Sequence, residues 1–258
     1  MEPYILLVRP RLDPAGEPVA KLLIEHRETL IHGNGDVIEK ARLSVRYRII
    51  GEIPYGHRKQ THEFPACYVR DCGESGRICL TGSDPYGGAV DLEPDSLLGN
   101  RVGSFLMNQI VEWATRWPDA EVNPIKLFAH QGHGENKLRR NRFYEQFGIR
   151  FDYADSTHAE GTGRTMQAGS LTPWTELPDN LTVITLEDFL DDQERTLSAS
   201  QLDLKAQRRR SQDLGAELNR AFDHPVWFSG RVIWGKHANL VLWIVILLTV
   251  SLVWYRCR

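Results

Sequence analysis

The residues with the clearest chemical potential sit in the middle of the chain. Leu98-Gly99-Asn100-Arg101-Val102-Gly103-Ser104 leads from strand-forming residues into an apolar-periodic helix. A helix N-terminus presents free backbone N–H groups and the positive end of the helix dipole. Glycines let a phosphate approach such a backbone, and Gly99 and Gly103 frame this turn. Just upstream, Asp91 and Glu93 alternate with Leu92 and so share one face of an expected strand. A second constellation is His57, His62, Cys67 and Cys72, spaced every five residues. The side-chain types suit zinc, but the spacing is not that of a zinc knuckle. A strand over 64–70 would turn Cys67 and Cys72 to opposite faces, so no metal site is assigned.

These groups need a scaffold. Tyr4-Ile5-Leu6-Leu7-Val8 reads as an early strand. Residues 19–31 read as a helix, with Val19, Leu22, Leu23, His26 and Leu30 on one face. Residues 41–50 read as a strand rich in β-formers, and 51–65 as a loop. Short strands are expected at 64–70, 77–81 and 89–93, the last ending at Pro94. Val102, Leu106, Ile110, Trp113 and Trp117 recur at helical spacing until Pro118 stops them. A strand at 125–129 follows, and His130 closes it. A helix from Asn136 to Phe147 ends at Gly148, a suitable residue just past a helix end. Another strand begins at 150–153. Strands alternating with helices argue for an α/β or α+β mixed sheet with crossover helices.

Residues 87–153 together resemble the cofactor-binding core of the GNAT family, the GCN5-related acetyltransferases. The motifs are the strand, the loop and the helix just described, then the ending Phe143-Tyr144-Glu145-Gln146-Phe147-Gly148-Ile149 of a later helix. Leu98 stands where the family often has Arg or Gln. Arg101 stands where the first motif glycine usually sits, Gly103 matches the second, and Asn136 lies one place before the family's Asn. The match is specific over about a quarter of the chain. It implies that the amides of Leu98, Gly99, Asn100, Arg101, Val102, Gly103 and Ser104, with Asn136, hold acetyl-CoA. It also implies that Tyr144 protonates the departing thiolate. Acetyl transfer to an amine needs a base as well. Glu93, on the strand where the family often places a carboxylate, is the first choice, with His130 next. Arg101 brings a cation toward the expected pyrophosphate. A non-catalytic GNAT-like module that binds CoA or serves as a scaffold is the alternative. The amine acceptor is not legible.

Composition changes after Thr172-Pro173-Trp174. Thr185-Leu186-Glu187-Asp188 resembles a capping box, and a polar helix-forming stretch follows to Phe222. Acids crowd its start and bases its end, as the helix dipole favours. Leu190, Leu197, Leu204 and Leu218 fall on a seven-residue repeat that would allow a homodimer. The expected division is a GNAT-like domain over 1–178, a helical spacer over 179–225 and a juxtamembrane segment with an anchor over 226–258. Residues 238–255 carry no charge, and as a helix they would span roughly 27 Å, close to a bilayer's hydrocarbon thickness. Lys236 and Arg256 flank them, with Trp254 and Tyr255 at an interface position. The expectation is therefore a single-pass C-terminal transmembrane helix with the folded domain in the cytosol. The four cysteines form no secreted framework, and a net charge of −3 gives no sign of a nucleic-acid partner.

Overall fold

The computed structural model describes residues 2–33, 37–51, 60–70, 75–83, 92–131, 136–223, 246–249, 252 and 256. Strands β1 (Tyr4–Val8), β2 (Ala20–His32), β3 (Ile38–Ile50), β4 (His62–Val69) and β5 (Arg77–Cys79) form an antiparallel meander. Helix α1 (Val102–Ala114) then crosses to β6 (Glu121–Val122), which lies parallel to β5. The chain continues through β7 (Lys126–Leu127), α2 (Asn136–Glu145), β8 (Phe151–Tyr153), β9 (Gly161–Gly163), β10 (Met166–Gln167), β11 (Leu181–Thr185) and the long helix α3 (Leu186–Asp223). Eight strands form one sheet in the order β10-β6-β5-β4-β3-β2-β1-β11, and β7-β9-β8 form a second. The class is mixed α+β, built on a large mixed sheet and a long helix.

The stretch expected as a helix over 19–31 is instead strand from Ala20 onward, within β2. Its apolar residues satisfy both periods. Leu22 and Ile24 are fully buried on alternate positions, and β2 bonds β1 on one side and β3 on the other. Burying each such side chain is worth about 1.5–3 kcal/mol, well above helix-propensity differences of a few tenths. Tertiary pairing therefore wins.

Helix α1 packs on β3 and β4 and is apolar over most of its surface. Trp117, just past its end, stacks on Tyr68 of β4 with centroids 4.5 Å apart. Trp113 Nε1 donates to Glu28 Oε1 over 2.7 Å, and Arg116 pairs with the same carboxylate. The strand expected at 125–129 is only Lys126–Leu127, and His130 lies in a 3-10 turn, Ala129–Gln131. The expected strand at 89–93 has residues 89–91, including Asp91, outside the described residues. Leu92 and Glu93 lie in no strand.

Contacts divide the chain into units 1–190 and 191–258. Strand β11 pairs with β1 along its whole length, so residues 181–185 belong to the sheet rather than to a spacer. The expected cap forms in its first half: the Asp188 N–H donates to Thr185 Oγ1 over 3.0 Å, while the return contact is between side chains, the Thr185 hydroxyl donating to Asp188 Oδ2 over 2.7 Å. Leu190, Leu197, Leu204 and Leu218 are all exposed. Among the described residues no helix is long and apolar enough to cross a membrane. The expected span 238–255 lies almost entirely outside them; residues 246–249 and 252 are helical.

Candidate active site

The parallel pair β5–β6 is short. It is joined only at Arg77↔Glu121 and Ile78↔Val122, with the Asn123 N–H donating to the Ile78 carbonyl over 2.8 Å. Beyond that bond the chain leaves the large sheet and enters the second one as β7. The two sheets thus part at the carboxyl end of a parallel pair, where α/β sheets place their ligands.

Two left-handed residues shape the approach to α1. Gly99 has φ 82, and Arg101, at the N-cap, has φ 63 and ψ 8. Arg101 takes this conformation despite its Cβ, and its side chain is exposed. No side chain caps the helix. The Phe105 N–H bonds the Arg101 carbonyl over 2.9 Å, so the N–H groups of Val102, Gly103 and Ser104 precede the helical ladder. The loop is held from behind by Asn180, 2 % exposed, whose Nδ2 donates to the carbonyls of Asn100 (3.0 Å) and Arg9 (3.2 Å). Sequence reading missed Asn180, and no local pattern marks it.

Gly103 is where the predicted parts converge. A Cβ built there would sit 3.7 Å from Leu92 Cδ2 and 3.7 Å from Phe143 Cε2. Leu92 precedes Glu93, and Phe143 precedes Tyr144. The fold therefore brings the loop and the segments bearing both proposed catalytic residues together. Gln146 of the turn after α2 also donates to Ser104 Oγ over 3.0 Å.

Tyr144 is half-buried, its ring edge-on to Phe143 (4.8 Å) and Phe151 (5.8 Å). Burial pushes its phenol above the ordinary value, partly offset by the Arg140 cation. Asn136 is exposed at the start of α2, and its Oδ1 accepts from Arg139 over 2.7 Å. The buried Asn of this helix is Asn141, which was not singled out; it donates to the His158 carbonyl over 3.0 Å.

Glu93 is exposed, but its backbone is tightly held. The fully buried Tyr47 hydroxyl donates to the Glu93 carbonyl over 2.9 Å and accepts from its N–H over 3.0 Å. His62 stacks on Tyr47 (centroids 5.1 Å apart) and places Nδ1 3.6 Å from Glu93 Oε2. That is an ion-pair distance rather than a hydrogen bond. His62 was grouped with possible zinc ligands, not with Glu93. It lies five residues from Cys67 on β4, so the two face opposite sides. His57 and Cys72 lie outside the described residues, and among those described no three ligands gather for a metal.

A groove of about 450 Å³ runs along α1 beyond its first turn, lined by Tyr4, Phe105, Asn108, Glu112 and Trp174 among others. It contains neither Glu93 nor Tyr144. No protein-family model, curated protein or solved structure matches the chain.

Proposed function

We propose that the chain is a GNAT-type N-acetyltransferase held at a membrane by its C-terminal segment. The observation that carries this reading is the first turn of α1, which has no side-chain cap and is led by the exposed, left-handed Arg101. Backbone N–H groups and a cation at such a place suit a pyrophosphate. Acetyl-CoA would bind there. The acceptor amine attacks the thioester carbonyl carbon, and the C–S bond breaks. Glu93 takes the ammonium proton, and Tyr144 gives its phenolic proton to the leaving thiolate.

One observation favours a second reading, a CoA-binding module without turnover. Burial raises the Tyr144 pKa, which weakens the phenol as a donor, and its hydroxyl has no hydrogen-bond partner among the described residues. Titration of the full chain with acetyl-CoA, followed by a thiol-release assay against a panel of amines, separates the two. Binding with turnover supports the enzyme, binding alone supports the module, and failure to bind rejects both.

The apolar stretch 238–255 supplies the proposed anchor, with the folded domain in the cytosol. The exposed leucines of α3 offer a seam for a second copy. Recovery of the full chain in the supernatant after carbonate extraction would reject the anchor. Ile246→Arg, which adds roughly 2.5–3.5 kcal/mol to the insertion cost, should shift it there.

A further inference from the structure

Cys67 and Cys79 form a feature that acetyl transfer does not use. They are direct partners across the antiparallel β4–β5 ladder, and both are buried as free thiols. Arg42 of β3 is the partner of Cys67 on the other side, so Arg42, Cys67 and Cys79 form one row across three strands. Tyr68 stacks on Trp117 beyond α1, so neighbouring Cys67 points to the opposite face of the sheet. The exposed Arg42 side chain reaches along this row to donate to the Ser83 carbonyl over 2.9 Å. A guanidinium thus bridges from β3 to the turn after β5, close enough to Cys67 to act on its charge.

We propose that Cys67 and Cys79 are an oxidation-sensitive thiol pair that a peroxide-class oxidant converts to a cross-strand disulfide. Directly opposed residues of an antiparallel pair are close enough for such a bond with small backbone adjustment. The two sulfurs are not equivalent. Cys67 donates to Cys79, and the backbone N–H groups of Thr81 and Gly82 and the Thr81 hydroxyl point at the same sulfur, lowering the Cys79 pKa. Cys67, the donor in that contact, is raised. Cys79 is therefore the attacking thiolate and Cys67 the resolving thiol.

The Cys79 thiolate attacks one peroxide oxygen. The O–O bond breaks, Cys79 becomes a sulfenic acid, and the departing oxygen takes a proton to leave as water. The Cys67 sulfur then attacks the Cys79 sulfur, the S–O bond breaks, and a second water leaves with the Cys67 proton. Two thiols and one hydrogen peroxide yield one disulfide and two waters.

The test uses the reduced full chain and hydrogen peroxide, with free thiols alkylated before digestion. The expected product is a cross-linked peptide pair joining Cys67 to Cys79, reversed by dithiothreitol. Cys67→Ala should trap a sulfenic acid on Cys79 that dimedone labels at least roughly tenfold faster than it labels Cys67 in Cys79→Ala. Arg42→Gln should slow closure of the disulfide, because it removes the cation that favours the thiolate form of the resolving Cys67. A cross-link joining Cys79 to Cys72 would overturn the assignment, as would two unreacted thiols under conditions that oxidise Cys257. If a cysteine variant fails to fold, the wild-type cross-link map still decides.

Discussion

Replacing Arg101 by glycine should move stability and cofactor affinity in opposite directions. Arg101 holds a left-handed conformation, φ 63 and ψ 8, at the N-cap of α1. For a residue with a Cβ that conformation costs about 1–2 kcal/mol. Glycine removes the cost but loses about 0.5–1 kcal/mol through greater freedom in the unfolded chain. The net gain is about 0–1.5 kcal/mol, a Tm rise of at most about 6 °C for a domain of this size. The same change deletes the guanidinium beside the proposed pyrophosphate site. A charge-assisted hydrogen bond is worth about 1.5–3 kcal/mol, and Arg101 is exposed, so solvent screening reduces this to about 1 kcal/mol. Acetyl-CoA affinity should then fall about fivefold. Arg101→Ala separates the two effects: it keeps the strained backbone and loses the cation, so affinity falls without a gain in Tm. Thermal melts and calorimetric titration of the full chain read both quantities. Unchanged affinity in both variants would remove Arg101 from the cofactor site, and a lower Tm for Arg101→Gly would refute the strain argument.

Gly103→Ala should be tolerated, because its Cβ would meet Leu92 and Phe143 at an ordinary 3.7 Å. Gly103→Val should lower both Tm and acetyl-CoA affinity, since its branches must push those two apart; a valine variant with wild-type melting and binding would show that the three segments are not packed there. Tyr144→Phe should leave affinity nearly intact and cut turnover by a factor on the order of 10². Wild-type turnover in that variant would return Tyr144 to a packing role. His26 stacks on Tyr4, and burial holds its pKa below the ordinary value. Above about pH 6.5 folded and unfolded His26 are both neutral, so it contributes no pH dependence there. Below that, the unfolded chain takes up a proton that the folded chain refuses, and stability falls as pH drops toward the folded pKa. Melting between pH 7.5 and 5 should show this loss, and His26→Gln should lessen it; an identical pH slope in the variant would count against the assignment.

Local pattern was enough for several elements. Val102, Leu106, Ile110 and Trp113 mark α1 because one helix face repeats whatever it packs against. Thr185 and Asp188 mark the start of α3 because a cap is made within one turn, and Gly148, with φ 83, closes the turn after α2 for the same kind of reason. Other features depend on contacts between distant segments. Residues 20–32 have apolar residues that suit a helix or a strand, and only the ladders to β1 and β3 settle which forms. Tyr47, His62 and Glu93 are far apart in sequence, and the β3–β4 register together with the path after residue 92 unites them. Cys67 was legible as a cysteine on a strand, but its partner was not, because register is a property of the pair. Asn180 closes the loop at Asn100 from eighty residues away. Helix period and capping are properties of a few consecutive residues and survive in the sequence. Strand pairing and site assembly are choices among many possible partners, and burial in the common core makes them.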